Sequence, residues 1–260
     1  IMKKKISYII SHHSENALRD QNLKAVLSWI NSIKIEKEII VVEQHTSPHI
    51  KNICDGKSAK HIFAYNPSLF SKAWGYNIGT HESSYDYIIY IDSDCLCYRE
   101  DMEKFIDLFI EGDYDAGSPN TFRYHYLSNE ESSYVRNNVK NFIFDKPSES
   151  NKTVAFTGGM FMIKKSLMYD IKLWDEEFTG WGFEDLAVEK KIRRTEAKIL
   201  RCKYPTFHLF HGGKNNDYWN GKNNNHKLLN ERYDKKKSMV SYLEHVNYET
   251  LGNKQKFSKA

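Results

Sequence analysis

Cysteine is scarce and poorly placed: the four in 260 residues, Cys54, Cys95, Cys97 and Cys202, include no Cys-x-x-Cys pair. That speaks against a disulfide framework and a structural zinc site, and it fits a reducing compartment. Long hydrophobic runs are missing too. None approaches the roughly 18 residues of a membrane span, and the basic start Lys3-Lys4-Lys5 opens a run too short for a signal peptide. The expected location is the cytoplasm, with peripheral contact at the inner face of the membrane as an extension. Excess charge of one sign is also lacking: 38 Lys and Arg against 34 Asp and Glu leave +4. So mild a balance suits anionic small molecules or a lipid surface and argues against nucleic acid as a partner. No internal repeat or low-complexity linker divides the chain.

What is present suits one α/β domain, residues 1–225, followed by a small basic tail, 226–260. At 40% hydrophobic the chain can bury a full core. Aromatic residues reach 14%, with 17 tyrosines, a supply that suits stacking on sugars or bases and equally a Tyr-rich core. Ile6 to Ser11 reads as a strand, and the stretch from about Glu15 to Ile33 carries Leu18, Val26, Leu27 and Ile30 at helical spacing. Glu38 to Glu43 and His61 to Tyr65 read as strands, Leu69 to about Glu82 as a helix, and Tyr87 to Asp92 as the central strand. Strands alternating with helices predict a parallel sheet with right-handed crossovers. Arg99 to Ile110 is a predicted helix and Tyr114 to Gly117 a short strand. Ser118 to about Thr153 is an irregular aromatic insertion. Ile199 to Cys202 and Thr206 to Leu209 read as further strands. In the tail, Lys235, Lys236, Lys237, Lys254, Lys256 and Lys259 interleave with Leu228, Leu229, Met239 and Leu243. A helix packed on the domain and a membrane-surface segment are both open readings there.

The central strand, Ile88-Ile89-Tyr90-Ile91, ends in Asp92-Ser93-Asp94. Strand alternation turns Asp92 and Asp94 to one side and Ser93 away. In open α/β sheets that carboxyl edge is where ligands bind. Two carboxylates there repel each other unless a cation lies between them, and a hard divalent ion that also takes phosphate oxygens suits the place. A plain strand end with a helix cap is the alternative. Ser11, His12 and Glu43 end the first two strands, where the base and ribose of a bound nucleotide would lie, with Arg19 and Lys72 near its phosphates. His12 and His13 also read as solvated loop histidines, and Arg19 and Lys72 as solvated helix faces.

Val154 to Ile163 reads as a strand, a Gly158-Gly159 break and a second strand; paired glycines there mark close approach of another segment or of a ligand. The run Gly180-Trp181-Gly182-Phe183-Glu184-Asp185 sets a tryptophan between glycines and two acids at a helix start, where acids are also welcome for the dipole alone. His208 and His211 cannot both follow strand alternation, so the strand is expected to end and one ring to turn inward. Cys95 and Cys97 trail the acidic pair, but soft thiolates and a phosphate-binding cation favour different surroundings, and neither is counted as a ligand.

Taken together, Phe70-Ser71-Lys72-Ala73 with Asn77-Ile78-Gly79, Asp86-Tyr87 through Asp92-Ser93-Asp94, Gly158-Gly159, the Gly180 to Asp185 run and His211 resemble the GT-A glycosyltransferases. The likeness is to family-2-like bacterial capsule and chondroitin-type polymerase domains and to the C-terminal domain of animal beta-galactosyltransferases, and it runs from about Lys5 to Lys214. It implies a GT-A fold: α/β, with a mostly parallel central sheet flanked by helices. It also implies a manganese ion, with Mg²⁺ as the alternative, on Asp94 and His211, and with Asp92 and His208 as further candidates. Gly158 and Gly159 would line the donor sugar. Ser11, His12, Arg19, Glu43, Lys72, Asn77, Asp92 and Ser93 complete the candidate donor contacts. Trp181 and Glu184 would meet the acceptor, and Asp185 would be the catalytic base. Where this chain reads Gly-Phe-Glu-Asp-Leu, the animal enzymes have a further glycine and more acids.

The implied activity is inverting transfer of a sugar from a nucleoside-diphosphate donor, a UDP-sugar, to a hydroxyl of a glycan or lipid-linked glycan in surface polysaccharide synthesis. A nitrogen among oxygen ligands favours Mn²⁺ over Mg²⁺. A sugar nucleotidyltransferase would want a Gly-rich, basic loop where Ser11-His12-His13-Ser14 stands. A non-catalytic sugar- or nucleotide-binding relative would be expected to lack one of Asp92, Asp94 and Asp185, and all three are present.

Overall fold

In a computed structural model of the chain, the described residues are 4–120, 124–144, 155–212, 216–233, 244 and 248–258. Strand β1 (Lys5–His12) is buried at all but its first residue. It pairs in parallel with β2 (Glu36–His45) on one side and β4 (Tyr87–Ile91) on the other, and β3 (Lys60–Tyr65) extends the parallel set beyond β2. Strands covered on both faces need near-continuous apolar runs, which Tyr8-Ile9-Ile10 and Ile39-Ile40-Val41-Val42 supply. The crossovers are α1 (Ala17–Ser32), started by Asn16 accepting the Arg19 N–H, the short α2 (Lys51–Asp55), and α3 (Lys72–Glu82), started by Ser71 accepting the Trp74 N–H. Helix α3 lies tight on β1: a Cβ at Gly75 would stand 2.0 Å from Ser11 Oγ, and one at Gly79 would stand 2.2 Å from Ile9 Cγ2.

The remaining half departs from a purely parallel plan. The seven-stranded order is β3-β2-β1-β4-β8-β6-β9, with β6 (Ala116–Asn120) and β9 (Ile199–Tyr204) parallel to each other. Between β4 and β6, β8 (Met160–Lys164) runs antiparallel to both. The expected pair of strands over Val154 to Ile163 is therefore one strand: residues 155–159 are turns and bends that reverse the chain at the carboxyl edge, and Val154 lies outside the described residues. Helices α4 (Arg99–Glu111), α6 (Lys165–Asp170) and α7 (Glu184–Ile192) complete the flanking layers.

The aromatic insertion is more regular than its sequence pattern. It contributes β7 (His125–Tyr126) and α5 (Asn129–Asn137), the latter started by a Ser128/Glu131 capping box. A second sheet, β5-β10-β7, joins β5 (Cys95–Cys97) and β10 (Thr206–His208) antiparallel, with His208 opposite Cys95. This pairing brings the histidine strand to the acidic turn.

Helix α8 (Asn216–Arg232) runs past position 225 and is fastened at its end, where Arg232 and the Tyr233 hydroxyl reach Asp175 at 3.1 and 2.8 Å. In the tail, Lys254 pairs with Glu82 at 3.3 Å and Lys256 with Glu176 at 3.1 Å. Lys235, Lys236, Lys237, Met239, Leu243 and Lys259 lie outside the described residues. Among the described residues no helix is long and apolar enough to cross a membrane.

Candidate active site

The site forms where β4 stops. The backbone turns at once, with the Cys95 N–H donating to the Asp92 carbonyl at 3.2 Å, and the Asp92 N–H donates to the Gly159 carbonyl at 2.7 Å. Gly159 takes φ +71°, and a Cβ there would stand 2.3 Å from the Tyr124 hydroxyl, which itself donates to the Gly158 carbonyl at 2.8 Å. The paired glycines thus let a phenol and the acidic turn close on the same backbone.

Because the turn ends strand alternation, Asp92 and Asp94 serve different neighbours. Asp92 Oδ1 accepts from the Tyr76 hydroxyl at 2.9 Å and lies 3.4 Å from Lys72 Nζ. Asp94, only 5% exposed, sits between two imidazoles: His208 Nε2 is 3.7 Å from Oδ1, and His211 Nε2 is 3.7 Å from Oδ2. Arg19 stands 3.5 Å from the same Oδ2. Burial pushes the Asp94 carboxyl up, but the His208 and His211 rings and Arg19 outweigh it and hold it below its ordinary range. For Asp92, burial wins over Lys72 and its pKa is raised.

Each histidine turns its Nε2 toward Asp94. His208 Nδ1 lies 3.1 Å from the Leu209 carbonyl; as a donor there it leaves the Nε2 lone pair facing Asp94, the arrangement metal-binding histidines use. Burial lowers the His211 pKa and favours its neutral, coordinating form. Asp94, Cys95 and His208 offer ligand atoms that all lie within 4.8 Å of one another. This oxygen, nitrogen and sulfur set, with His211 on its other side, fits a divalent ion.

On the opposite flank a single ammonium gathers three carboxylates. Lys72 Nζ is 2.9 Å from Asp185, 3.0 Å from Glu184 and 3.4 Å from Asp92. Burial works against its charge, but Asp185, Asp92 and Glu184 hold its pKa well above the lysine range. Three acids sharing one cation leave excess negative charge. Asp185 shows it: burial pushes its pKa up to about 8, with Glu184 and Asp92 adding to the rise and Lys72 opposing it. Its Oδ1 is buried and has no hydrogen-bond partner among the described residues. Both acids stand in the first turn of α7, where the dipole favours them, but neither caps it: the N-cap is Phe183 at φ +73° with no side-chain cap bond, and Glu184 and Asp185 reach Lys72.

The rim is held by backbone contacts. Gly180 and Gly182, at φ +71° and +96°, place Trp181 between them, 47% exposed. The Gly180 N–H donates to the Phe70 carbonyl at 2.7 Å, and Asn225 Nδ2 of α8 donates to the carbonyls of Thr179, Trp181 and Gly182 at 3.0, 3.3 and 2.9 Å. The Thr157 hydroxyl donates to the Asp185 carbonyl at 2.6 Å, tying the glycine turn to α7.

Arg19, Lys72, Asp92, Asp94, Gly158, Gly159, Glu184, Asp185, His208 and His211 therefore meet at one edge, and exposed Trp181 precedes Glu184 by three residues. Ser93 is buried in the same turn. Four other candidate donor contacts have partners within the fold. Ser11 lies under Gly75 and accepts from Gln44 at 3.1 Å. Buried His12 holds Asp20 at 2.9 Å. Glu43 binds the His61 ring and the His49 N–H, each at 2.7 Å. Asn77 brackets Trp174, accepting its N–H and donating to its carbonyl, each at 2.9 Å. Sequence reasoning missed Tyr76, Tyr124, Thr157 and Asn225. Of these only Tyr76 carried a signal, one helical turn after Lys72 on α3.

The profile of glycosyl transferase family 2 matches residues 7–172, and that described as the N-terminal domain of galactosyltransferase matches residues 141–219. No curated protein matches the chain in sequence. Among solved structures, S. aureus TarS aligns with TM-score 0.56 at 14% identity, over 87% of this chain. The chain spans only 40% of that TarS chain. A shorter TarS fragment aligns with TM-score 0.58 at 10% identity over 97% of this chain and 73% of its own. A mutant Drosophila beta-1,4-galactosyltransferase 7 in complex with manganese, UDP-Gal and xylobiose aligns with TM-score 0.54 at 14% identity, over 91% of this chain and 83% of its own. The chain has the GT-A fold, and with the family profile covering more than half its length it belongs to glycosyl transferase family 2.

Proposed function

We propose that the chain is a metal-dependent, inverting glycosyltransferase that moves a sugar from a UDP-sugar to a hydroxyl of a glycan or lipid-linked glycan in surface polysaccharide synthesis. The observation that carries this reading is Asp185: one oxygen is held by Lys72 at 2.9 Å, and the other is buried with no partner among the described residues. With its pKa at about 8, Asp185 reaches its ionised form as pH rises toward that value, and the carboxylate so placed then has a free lone pair for one incoming hydroxyl. Asp185 Oδ1 takes the acceptor proton as the acceptor oxygen attacks the anomeric carbon, and the bond to the diphosphate breaks on the opposite face. One displacement inverts the configuration. General-base assistance of this kind contributes about 10² to 10⁴ in rate.

Asp94, His208 and His211 would hold the divalent ion, Mn²⁺, with Asp92 nearby. When bound, that ion neutralises charge on the leaving diphosphate. Arg19, Lys72, Ser93, Gly158 and Gly159 border the donor, and Ser11, His12, Glu43 and Asn77 keep the edge in shape from behind. Glu184 orients the acceptor, and Trp181 offers its exposed ring to a sugar face. The manganese, UDP-Gal and xylobiose in the Drosophila neighbour's structure support this choice of ion, donor class and acceptor class. The test is a panel of sugar nucleotides with and without Mn²⁺. Metal-dependent release of UDP from one of them is expected; none from any, with and without saccharide acceptors, would remove the reading.

A further inference from the structure

The thiol of Cys95 has no part in the chemistry above, yet it lies inside the ion's seat. It is 1% exposed, it stands opposite His208 in the β5 and β10 register, and its Sγ is 3.6 Å from Asp94 Oδ1. His208 Nε2 is 3.7 Å from that same oxygen. Sulfur about 2.3 Å and nitrogen or oxygen about 2.0 to 2.2 Å from a tetrahedral ion stand about 3.5 Å from one another. Both observed edges are within a few tenths of that value. The other side of Asp94 suits an ion less well, because the Arg19 guanidinium, a fixed positive charge, stands 3.5 Å from Oδ2. Cys97 is buried two residues further along β5, but among the described residues only Cys95 joins a cluster of three ligand types.

We propose that Cys95 is a metal ligand, so that the ion is held by Asp94 Oδ1, Cys95 and His208, with His211 flanking the site from the Oδ2 side of Asp94. The proposal rests on reading this edge as a metal-dependent donor site. Without an ion the thiol donates its S–H to Asp94 Oδ1 at 3.6 Å. A bound cation reverses the local field. The metal–sulfur bond forms as the S–H proton leaves to solvent, and no oxidation state changes. A sulfur ligand turns ion preference away from Mg²⁺ and toward Co²⁺ and Zn²⁺. It also resolves the mismatch between a soft thiol and a phosphate-binding cation: a borderline ion accepts both.

Co²⁺ alone, titrated into the full chain under anaerobic conditions, reads the sulfur directly. A sulfur-to-cobalt charge-transfer band in the near ultraviolet is expected to saturate at about one ion per chain. It should vanish in Cys95→Ser and in His208→Gln and persist in Cys202→Ser. Cobalt affinity in Cys95→Ser should fall by about tenfold or more, as loss of even an outer-shell partner can cost that much. If Cys95→Ser does not fold, the wild-type band and its loss in His208→Gln decide. Saturable cobalt binding without the band, or a band that survives Cys95→Ser, overturns the thiol ligand and leaves the Asp94 and histidine site standing. Absence of any cobalt binding overturns both.

Discussion

Replacing Asp185 by Asn keeps the shape of the side chain and one hydrogen bond to spare while removing a charge that the fold holds at a cost. The folded carboxyl has a pKa of about 8 against an ordinary value of 3.8. Between those values the unfolded chain has released the proton while the folded chain keeps it, so wild-type stability falls as pH rises from about 4 to 8. The Asn variant has no such proton, and the gap between the two must widen with pH in its favour. Each pH unit corresponds to about 1.4 kcal/mol, which makes about 5 kcal/mol the ceiling at pH 8. Solvent reaches 22% of the side chain. Screening reduces the expectation to on the order of 2 kcal/mol. In a chain of this size each kcal/mol moves the melting temperature by about 2 to 4 °C. Thermal melts of the metal-free protein should therefore place Asp185→Asn on the order of 5 °C above wild type at pH 8 and level with it near pH 4. Lys72 keeps Glu184 and Asp92 as partners in the variant. A gap that is the same at both pH values, or an Asn variant that melts lower at pH 8, refutes the argument that the site holds Asp185 against its own ionisation.

The other expectations follow from the same geometry. EDTA should abolish transfer and Mn²⁺ restore it, and Asp94→Ala should lose metal-dependent UDP binding by calorimetry; unchanged donor affinity in that variant contradicts the metal assignment. Lys72→Met removes the cation that three carboxylates share, so denaturant unfolding should show a loss of about 3 kcal/mol or more. Lys72→Arg should recover part of that loss and part of the transfer rate, and a fully stable Lys72→Met would show that the cluster needs no cation. We also propose that the basic tail makes a peripheral membrane contact. With Lys254 and Lys256 paired to Glu82 and Glu176, retention on anionic vesicles at low salt should depend on Lys235, Lys236 and Lys237. Equal retention on neutral vesicles, or none on either, assigns the tail to packing alone.

The first half of the fold was legible because its strands are buried on both faces and so read as unbroken apolar runs, from Ile6 in β1 to Ile91 in β4. Strand direction leaves no trace in such a run, so the antiparallel course of β8 between β4 and β6 could not be read from Met160 to Lys164. Two-residue β7 and three-residue β5 are too short for any period to register, and they are what carries His208 to Asp94. Within the site, residue types were legible and their partners were not. Strand alternation gave Asp92 and Asp94 the same side, but not that the turn after β4 sets Lys72 beside one and the histidines beside the other. Glu43 and Asn77 have the right chemistry near the right edge. Their oxygens are taken by His61, the His49 backbone and the Trp174 backbone, contacts between segments that local sequence does not encode. Lys72 was read as a phosphate contact, and its three acidic neighbours come from β4 and α7, far apart in the chain.

Sugar transfer by Asp185→Asn, measured beside its affinity for the donor and Mn²⁺, tests the central claim most directly. Donor and metal binding should match wild type while kcat falls by about 10² or more, since only the proton acceptor has been removed. Transfer at the wild-type rate by this variant would contradict the assignment of Asp185 as the base, and loss of rate in Glu184→Gln alone would move that role to Glu184.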